Sequence, residues 1–223
     1  MAAASFKGQP LRDPPLHYVG SFTIANFVRD AEPVYGKAHF IIDSAPESAG
    51  GELAILEGRA DLAGVAGHPK PGTLEQGVVA TLTGRDTIAA VVNPDNPVSD
   101  LMRAQLKEIF TGRVRNWKAL GGPDLPIHPF IVGPASATRK VFHFAILGEA
   151  DYAGCEVASP DAAILGKVET KLGSIAQISS SFLDPTRRVK AVSVEGQRAL
   201  PTNPDYPTGA ERRSLRGIRS ARL

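Results

Sequence analysis

An α/β fold is predicted by three observations. Short apolar runs of strand character alternate with stretches of helical spacing along almost the whole chain. The runs at 60–66 and 87–92 are almost continuously apolar, as strands buried on both faces are. Several strand-like runs end at a junction bearing Gly or a hydroxyl residue, from which a helical pattern starts. The 223 residues, 43% hydrophobic and 22% charged, suffice for one large domain or two lobes of about 100 residues each. That composition excludes collagen, coiled coil and low-complexity disorder. No run approaches the roughly 20 apolar residues of a membrane-spanning helix.

The elements follow in order. Residues 16–19 form a strand ending at Gly20, and Ser21 opens an amphipathic helix through Ile24, Phe27 and Val28. A second strand at 39–42 runs into the polar segment 43–51, and a helix through Leu53, Ile55 and Leu56 stops at Gly58. The strand 60–66 completes two strand–loop–helix units, whose loops meet at the carboxyl ends of a parallel sheet, where such sheets bind ligands. A new section starts near Gly84 with the strand 87–92, stopped by Asn93-Pro94-Asp95-Asn96-Pro97. A helix over 100–110 buries Leu101, Leu106 and Ile109 and ends at Thr111-Gly112. A strand at 127–132 leads through Ser136 into a helix with Val141, Phe142, Phe144 and Ile146 on its apolar side. A helix over 161–172, strands at 174–179 and 189–194 and a loop at 201–207 complete the pattern. Phe110, Trp117 and Phe130 are expected to pack the second half of the core.

The formal charge of +2 conceals an asymmetry. From Arg187 onward nine basic residues stand against three acidic ones, whereas the first 186 residues carry 16 basic and 20 acidic. A basic C-terminal segment of this kind is read as a solvated terminus, or as a surface that attracts nucleic acid, an anionic membrane or an acidic partner protein. Cys155 is alone, which excludes an internal disulfide. Residues 1–4 are followed by no apolar stretch of signal-peptide length, so no signal peptide is visible.

The chemistry resides at three junctions: Gly20-Ser21-Phe22-Thr23, Glu47-Ser48-Ala49-Gly50-Gly51 and Ala135-Ser136-Ala137-Thr138-Arg139. Each places backbone N–H groups and hydroxyl donors at the positive end of a helix, which favours an anion. Singly, each serine is an ordinary N-cap; together they form a site only where they converge. Arg139 adds a charge-assisted contact. The five histidines lack metal-ligand spacing, and no Walker loop, nucleophile elbow or dinucleotide fingerprint is present. Ser21 or Ser136 as a nucleophile lacks an identifiable base, and Asp61, opening a strand, reads as a cap or a paired group. No catalytic residue, metal or cofactor is expected.

The run Gly84-Arg85-Asp86-Thr87-Ile88-Ala89-Ala90-Val91-Val92-Asn93-Pro94-Asp95-Asn96-Pro97-Val98 resembles the crossing segment of the phosphate-binding proteins of ABC transporters. The resemblance continues in Gln105-Leu106, Ile109-Phe110-Thr111-Gly112, Asn116-Trp117-Lys118, Leu120-Gly121-Gly122, Asp124 and Pro126-Ile127. In weaker form it extends from Gly20-Ser21 to Tyr206-Pro207. It implies a two-lobed periplasmic-binding-protein-like (type II) fold with two crossover strands and an anion in the interlobe cleft. Residues 1–85 plus 181–223 would form lobe one and 86–180 lobe two. Ser21, Phe22, Thr23, Ser48, Ser136, Ala137, Thr138 and Arg139 match ligand-contacting positions, Phe22 offering only its backbone N–H.

The resemblance further implies a monomeric solute-binding protein, periplasmic or secreted, that binds phosphate or another small oxyanion. Its partners would be the membrane subunits of an ABC transporter, and no nucleic acid is expected. This chain departs from the family pattern at several places. Val65-Ala66-Gly67-His68 lacks the carboxylate that accepts a phosphate proton, Val132 replaces a frequent Arg, and Ala137 replaces the signature Gly. Poor discrimination of phosphate from sulfate is therefore expected, with Arg139 or His68 offsetting charge. The alternative reading is an interaction module that has lost its ligand and binds a partner through the basic C-terminal segment or a lobe surface.

Overall fold

The computed structural model describes residues 14–217 except 160, 161, 184, 185 and 187. The first half alternates strand and helix: β1 (Leu16–Gly20), α1 (Phe22–Tyr35), β2 (Phe40–Asp43), α2 (Glu47–Leu56), β3 (Leu62–Ala66) and α3 (Pro71–Glu75). The long strand β4 (Val78–Val92) leads into β5 (Asp100–Leu101), α4 (Arg103–Phe110), β6 (His128–Val132) and α5 (Ala137–Phe142). The chain continues through β7 (Glu156–Ala158), α6 (Ala163–Thr170), β8 (Ser174–Ser179), β9 (Lys190–Val194) and β10 (Gly209–Gly217).

The main strand order is β2-β1-β3-β10-β4-β8-β6-β7. Strands β1, β2 and β3 are parallel, as are β6, β7 and β8. Between the two parallel sets stand β10 and β4, which are antiparallel to each other and to their outer neighbours. Strand β4 belongs to both halves. Its residues from Val78 to Thr87 pair with β10, and Ile88 to Val92 pair with β8. From Asp86 onward every residue of β4 is buried. Ile88, Ala90 and Val92 face one core with Trp117, Phe110 and Phe142, while Ala89 and Val91 face the other with Phe130 and Ile164. This period-two division is what an apolar run covered on both faces produces.

The return of the chain is stitched to β4 at the same level. The Ile88 N–H donates to the Thr208 carbonyl at 3.1 Å, and the Thr208 hydroxyl donates to the Ile88 carbonyl. The buried Tyr206 hydroxyl accepts from the Ala90 N–H at 3.4 Å and donates to the Val192 carbonyl at 3.5 Å; burial pushes its pKa up to about 12. Beside this crossing lies a buried carboxylate. Asp86 accepts from the hydroxyls of Ser179 and Ser180 at 2.5 and 2.6 Å and from the Thr87 N–H at 2.7 Å. These bonds join the crossing part of β4 to the end of β8.

The two-lobed α/β architecture with two crossings is as the sequence implied, but several elements differ. Strand β4 starts at Val78 and passes through Gly84 without a break. The basic segment contains an internal strand, β10, rather than a solvated terminus up to Gly217; Arg187 and residues 218–223 lie outside the described residues. Strand β9 pairs with Ala90–Val92 of β4 and with β5, so it stands with the second set of strands, whereas the resemblance implies a place for 181–223 in the first lobe. Leu101 belongs to β5 rather than to the following helix, and Asp161 lies outside the described residues. Phe144 is 85% exposed because α5 gives way to a π-helical turn at His143–Leu147, whose wider spacing rotates it off the apolar face while Ile146 stays buried. Phe110, Trp117 and Phe130 are buried as expected.

Replacing Asp86 with Ala leaves the buried Ser179 hydroxyl and the half-buried Ser180 hydroxyl without this acceptor. It should lower the free energy of unfolding by about 2–3 kcal/mol, read as a reduced urea midpoint at unchanged slope; a shift within error would show that the network is not stabilising.

Candidate functional site

The parallel strands of each half end at the level of the crossings. Gly20 of β1 pairs with Gly64 of β3, Ala66 at the end of β3 pairs with Arg212, and Arg212 pairs with Gly84 of β4. From the other side Ser179 at the end of β8 pairs with Ile88. The carboxyl edges of both parallel sets therefore face the stretch 84–88, and the junctions that follow β1, β2 and β6 lie along these edges.

In the first half the junctions are drawn together by β3. The Ser21 N–H donates to the Gly64 carbonyl at 2.8 Å, and the Ser48 hydroxyl accepts from the Ala66 N–H at 3.1 Å. That bond uses a lone pair of Ser48 and not its hydroxyl proton. The Ser21 and Thr23 hydroxyls are 3.0 Å apart, so their mutual bond consumes one proton of the two. Ser21 occupies the N-cap position of α1 but makes no side-chain cap bond, and Ser48 lies inside α2, whose N-cap is Pro46. Neither hydroxyl acts as an ordinary cap, and both are buried. The buried Tyr18 hydroxyl donates to the Ser21 carbonyl at 2.7 Å, fixing the bend into α1. Burial foremost, then the charge of Glu47, raises the Tyr18 pKa and keeps this donor protonated.

Close backbone approach makes this corner possible. A Cβ at Gly64 would stand 1.9 Å from the Tyr18 hydroxyl and 2.9 Å from Ile24 Cβ. A Cβ at Gly51 would stand 2.8 Å from the Val19 carbonyl oxygen, so α2 reaches β1 only through that glycine.

The third junction is in the other half. Ser136 occupies the N-cap position of α5, again without a side-chain cap bond, and Ser136, Ala137 and Thr138 are all buried. The Arg139 guanidinium lies 5.0 Å from the centroid of the Tyr152 ring and donates to the Val132 carbonyl at 3.4 Å. It lines a pocket of about 490 Å³ with Lys140, His143, Asp151 and Tyr152. Phe22, expected to contribute only its N–H, does more: its ring stacks on Phe182 with centroids 5.5 Å apart and planes 20° from parallel. Phe182 packs on the core of β8 and α6, so this stack joins the start of α1 to the second half. His68 is exposed beyond the end of β3.

Asp61 is at the other end of β3, where its carboxylate accepts from the His17 N–H at 2.8 Å. This is the pairing role expected of it. Two residues escaped sequence reasoning. Asp86 sits in a quoted motif, but nothing local reveals the serines that meet it across 93 and 94 residues. Glu47, immediately before Ser48, holds φ of 55°, a left-handed conformation that non-glycine residues adopt at a cost and that clusters at functional sites. The Pro46-Glu47 pair ahead of Ser48 was the available signal. Among the described residues no group of three or more His, Cys, Asp and Glu is arranged to hold a metal ion, and no helix is long and apolar enough to cross a membrane.

Two α/β halves are thus joined by two crossings, with helix starts along their facing edges. The chain belongs to the PBP superfamily domain family, whose pattern it matches over residues 7–210. It is 32% identical over 130 residues to the phosphate-binding protein PstS of Bacillus subtilis (strain 168), a match covering 57% of this chain and 43% of that protein. A second relative, phosphate-binding protein PstS 2 of Streptococcus agalactiae, is 31% identical over 45% of this chain and 36% of its own length. This chain thus matches less than half the length of these two curated relatives. Among solved structures, a Clostridium perfringens protein assigned as a phosphate ABC transporter substrate-binding protein, with phosphate bound, superposes with a TM-score of 0.84. It is 24% identical, over 92% of this chain and 87% of that one. An ABC-type phosphate transport receptor from Vibrio cholerae superposes with a TM-score of 0.73 at 23% identity, over 93% and 88% of the two chains. These structural likenesses establish the fold.

Gly64→Ala should drive a methyl group into the Tyr18 hydroxyl and destabilise the protein by about 2–3 kcal/mol, with a lower thermal midpoint as the readout. Burial pushes the Cys155 thiol up to about 11. Its alkylation by iodoacetamide at pH 8 should be on the order of 100-fold slower than that of free cysteine, measured by mass spectrometry; a free-thiol rate would contradict that environment.

Proposed function

We propose that this chain is a solute-binding domain that holds phosphate or a related tetrahedral oxyanion between its two halves, without catalysis. The observation that carries the reading is the pair of buried serines, Ser21 and Ser48, that stand at helix starts without capping them and are locked to β3. Donors held rigidly by other bonds need no reorganisation to receive an anion, and hydrogen bonds to a charged acceptor are about twice as strong as neutral ones. In this reading Ser21, Thr23, Ser48 and the Phe22 N–H supply the first half of the site. Ser136, Thr138 and the Ala137 N–H supply the second, and Arg139 contributes charge from beside Tyr152. The halves, 14–84 with 209–217 and 88–208, close about the stretch of β4 at 84–88 and the return at 206–209.

The names of the curated relatives support phosphate as the solute and ABC-type uptake or sensing as the setting. The protein then works as a monomer in the periplasm or outside the cell and delivers its anion to transporter membrane subunits. The Phe22–Phe182 stack holds the first donor segment against the second half, so part of the cost of closure is met before the anion arrives.

Isothermal titration calorimetry with phosphate and with sulfate tests the reading. Saturable binding of at least one of them at micromolar concentration is expected; heats no larger than those of dilution for both would refute it. Ser48→Ala should weaken phosphate binding roughly 10- to 100-fold. Phe182→Ala should weaken it by roughly 2- to 10-fold, mainly through faster dissociation; an unchanged dissociation rate would show that the stack does not hold the closed form.

A further inference from the structure

Beside the proposed site the crevice between the halves opens into a chamber of about 690 Å³. One wall is Gly67-His68, directly after the Ala66 whose N–H is bonded to Ser48. The opposite wall is the helix that starts at Ser136, through Lys140, Val141 and Phe144; Arg103 at the start of α4 and Pro207 at the return crossing complete it. Chamber and site thus share the end of β3 on one side and one helix on the other.

The size and chemistry of this space exceed what inorganic phosphate uses. Five heavy atoms fill a small part of it, whereas clefts of roughly 300–1,000 Å³ accommodate small organic molecules. Lys140 and His68 present exposed cationic or protonatable groups from opposite walls, and Arg103 adds a guanidinium paired with Glu195 at 3.0 Å. Phe144, turned outward by the π-helical turn, and Val141 supply an apolar strip between them. The space beside the end of β3 and the helix that starts at Ser136 is part apolar and part basic.

We propose that the preferred ligand is a small phosphomonoester whose organic part carries a second anionic group, such as a carboxylate, directed toward Lys140 and His68. This rests on the reading of the serine junctions as the phosphoryl site. A phosphomonoester dianion presents three acceptor oxygens and, near neutral pH, no proton, so a cluster of N–H and O–H donors satisfies it. The ester substituent fills the chamber and covers the apolar strip, and the Lys140 ammonium neutralises the second charge.

The test is calorimetry of the whole chain at pH 7.5 with inorganic phosphate, glycerol 3-phosphate and 3-phosphoglycerate. Binding of 3-phosphoglycerate is expected to be roughly tenfold or more tighter than that of inorganic phosphate, with glycerol 3-phosphate between them. Lys140→Ala, at an exposed position, should weaken 3-phosphoglycerate roughly 3- to 10-fold more than it weakens inorganic phosphate. Inorganic phosphate binding more tightly than both esters would overturn the assignment and leave the oxyanion site intact. An equal effect of Lys140→Ala on all three ligands would also overturn it, because the lysine would then act on the phosphoryl group alone. Failure of all three to bind at millimolar concentration would overturn both this assignment and the oxyanion site beneath it.

Discussion

The molecule depends on one backbone ladder. Strand β4 satisfies its N–H and C=O groups against β10 over its first part and against β8 and β9 over its last, so two sheets share a single strand. The return segment adds bonds to Ile88 and Ala90 at the level where Asp86 collects the hydroxyls of Ser179 and Ser180. Because unpaired buried backbone groups are costly, neither half can detach at this level without breaking a run of hydrogen bonds. The two halves therefore meet at one hydrogen-bonded level of the shared strand.

That constraint also sets where chemistry takes place. Parallel strands in each half direct their carboxyl ends, and hence their helix starts, toward the shared strand. Helix starts from distant parts of the chain lie along facing sheet edges as a consequence of strand direction, not of sequence proximity. Within the first half the arrangement is made rigid by side chains that serve the backbone: Tyr18 holds the Ser21 carbonyl, and Ser48 holds the Ala66 N–H. Glycines at 51 and 64 let helix and strand approach until these bonds form. The strained Glu47 belongs to the same corner, where the turn into α2 must carry Ser48 toward β3.

Contacts between the halves differ along the crevice. On one side Phe22 and Phe182 stack and narrow it; on the other the chamber at Lys140 and His68 keeps it wide. The asymmetry arises from two local irregularities, the short 3₁₀ turn Ser180–Phe182 that presents Phe182 and the π-helical turn that exposes Phe144. Both lie in the second half.

The amino-acid sequence by itself determined the α/β class, most of the strands and the helix-start serines, because these rest on local apolar period and junction chemistry. It also carried the crossing motif from Gly84 to Val98, a continuous run legible without any partner. The sequence did not disclose β10, because a strand rich in arginine reads as a solvated terminus until β3 and β4 are seen to flank its backbone. Nor did it disclose the place of β9, the reach of β4 back to Val78, or the outward turn of Phe144. The tertiary structure alone decided that Asp86 meets Ser179 and Ser180, and that Phe22 faces Phe182. Such pairs are selected by burial and register across many tens of residues, and a one-dimensional pattern contains no measure of that distance.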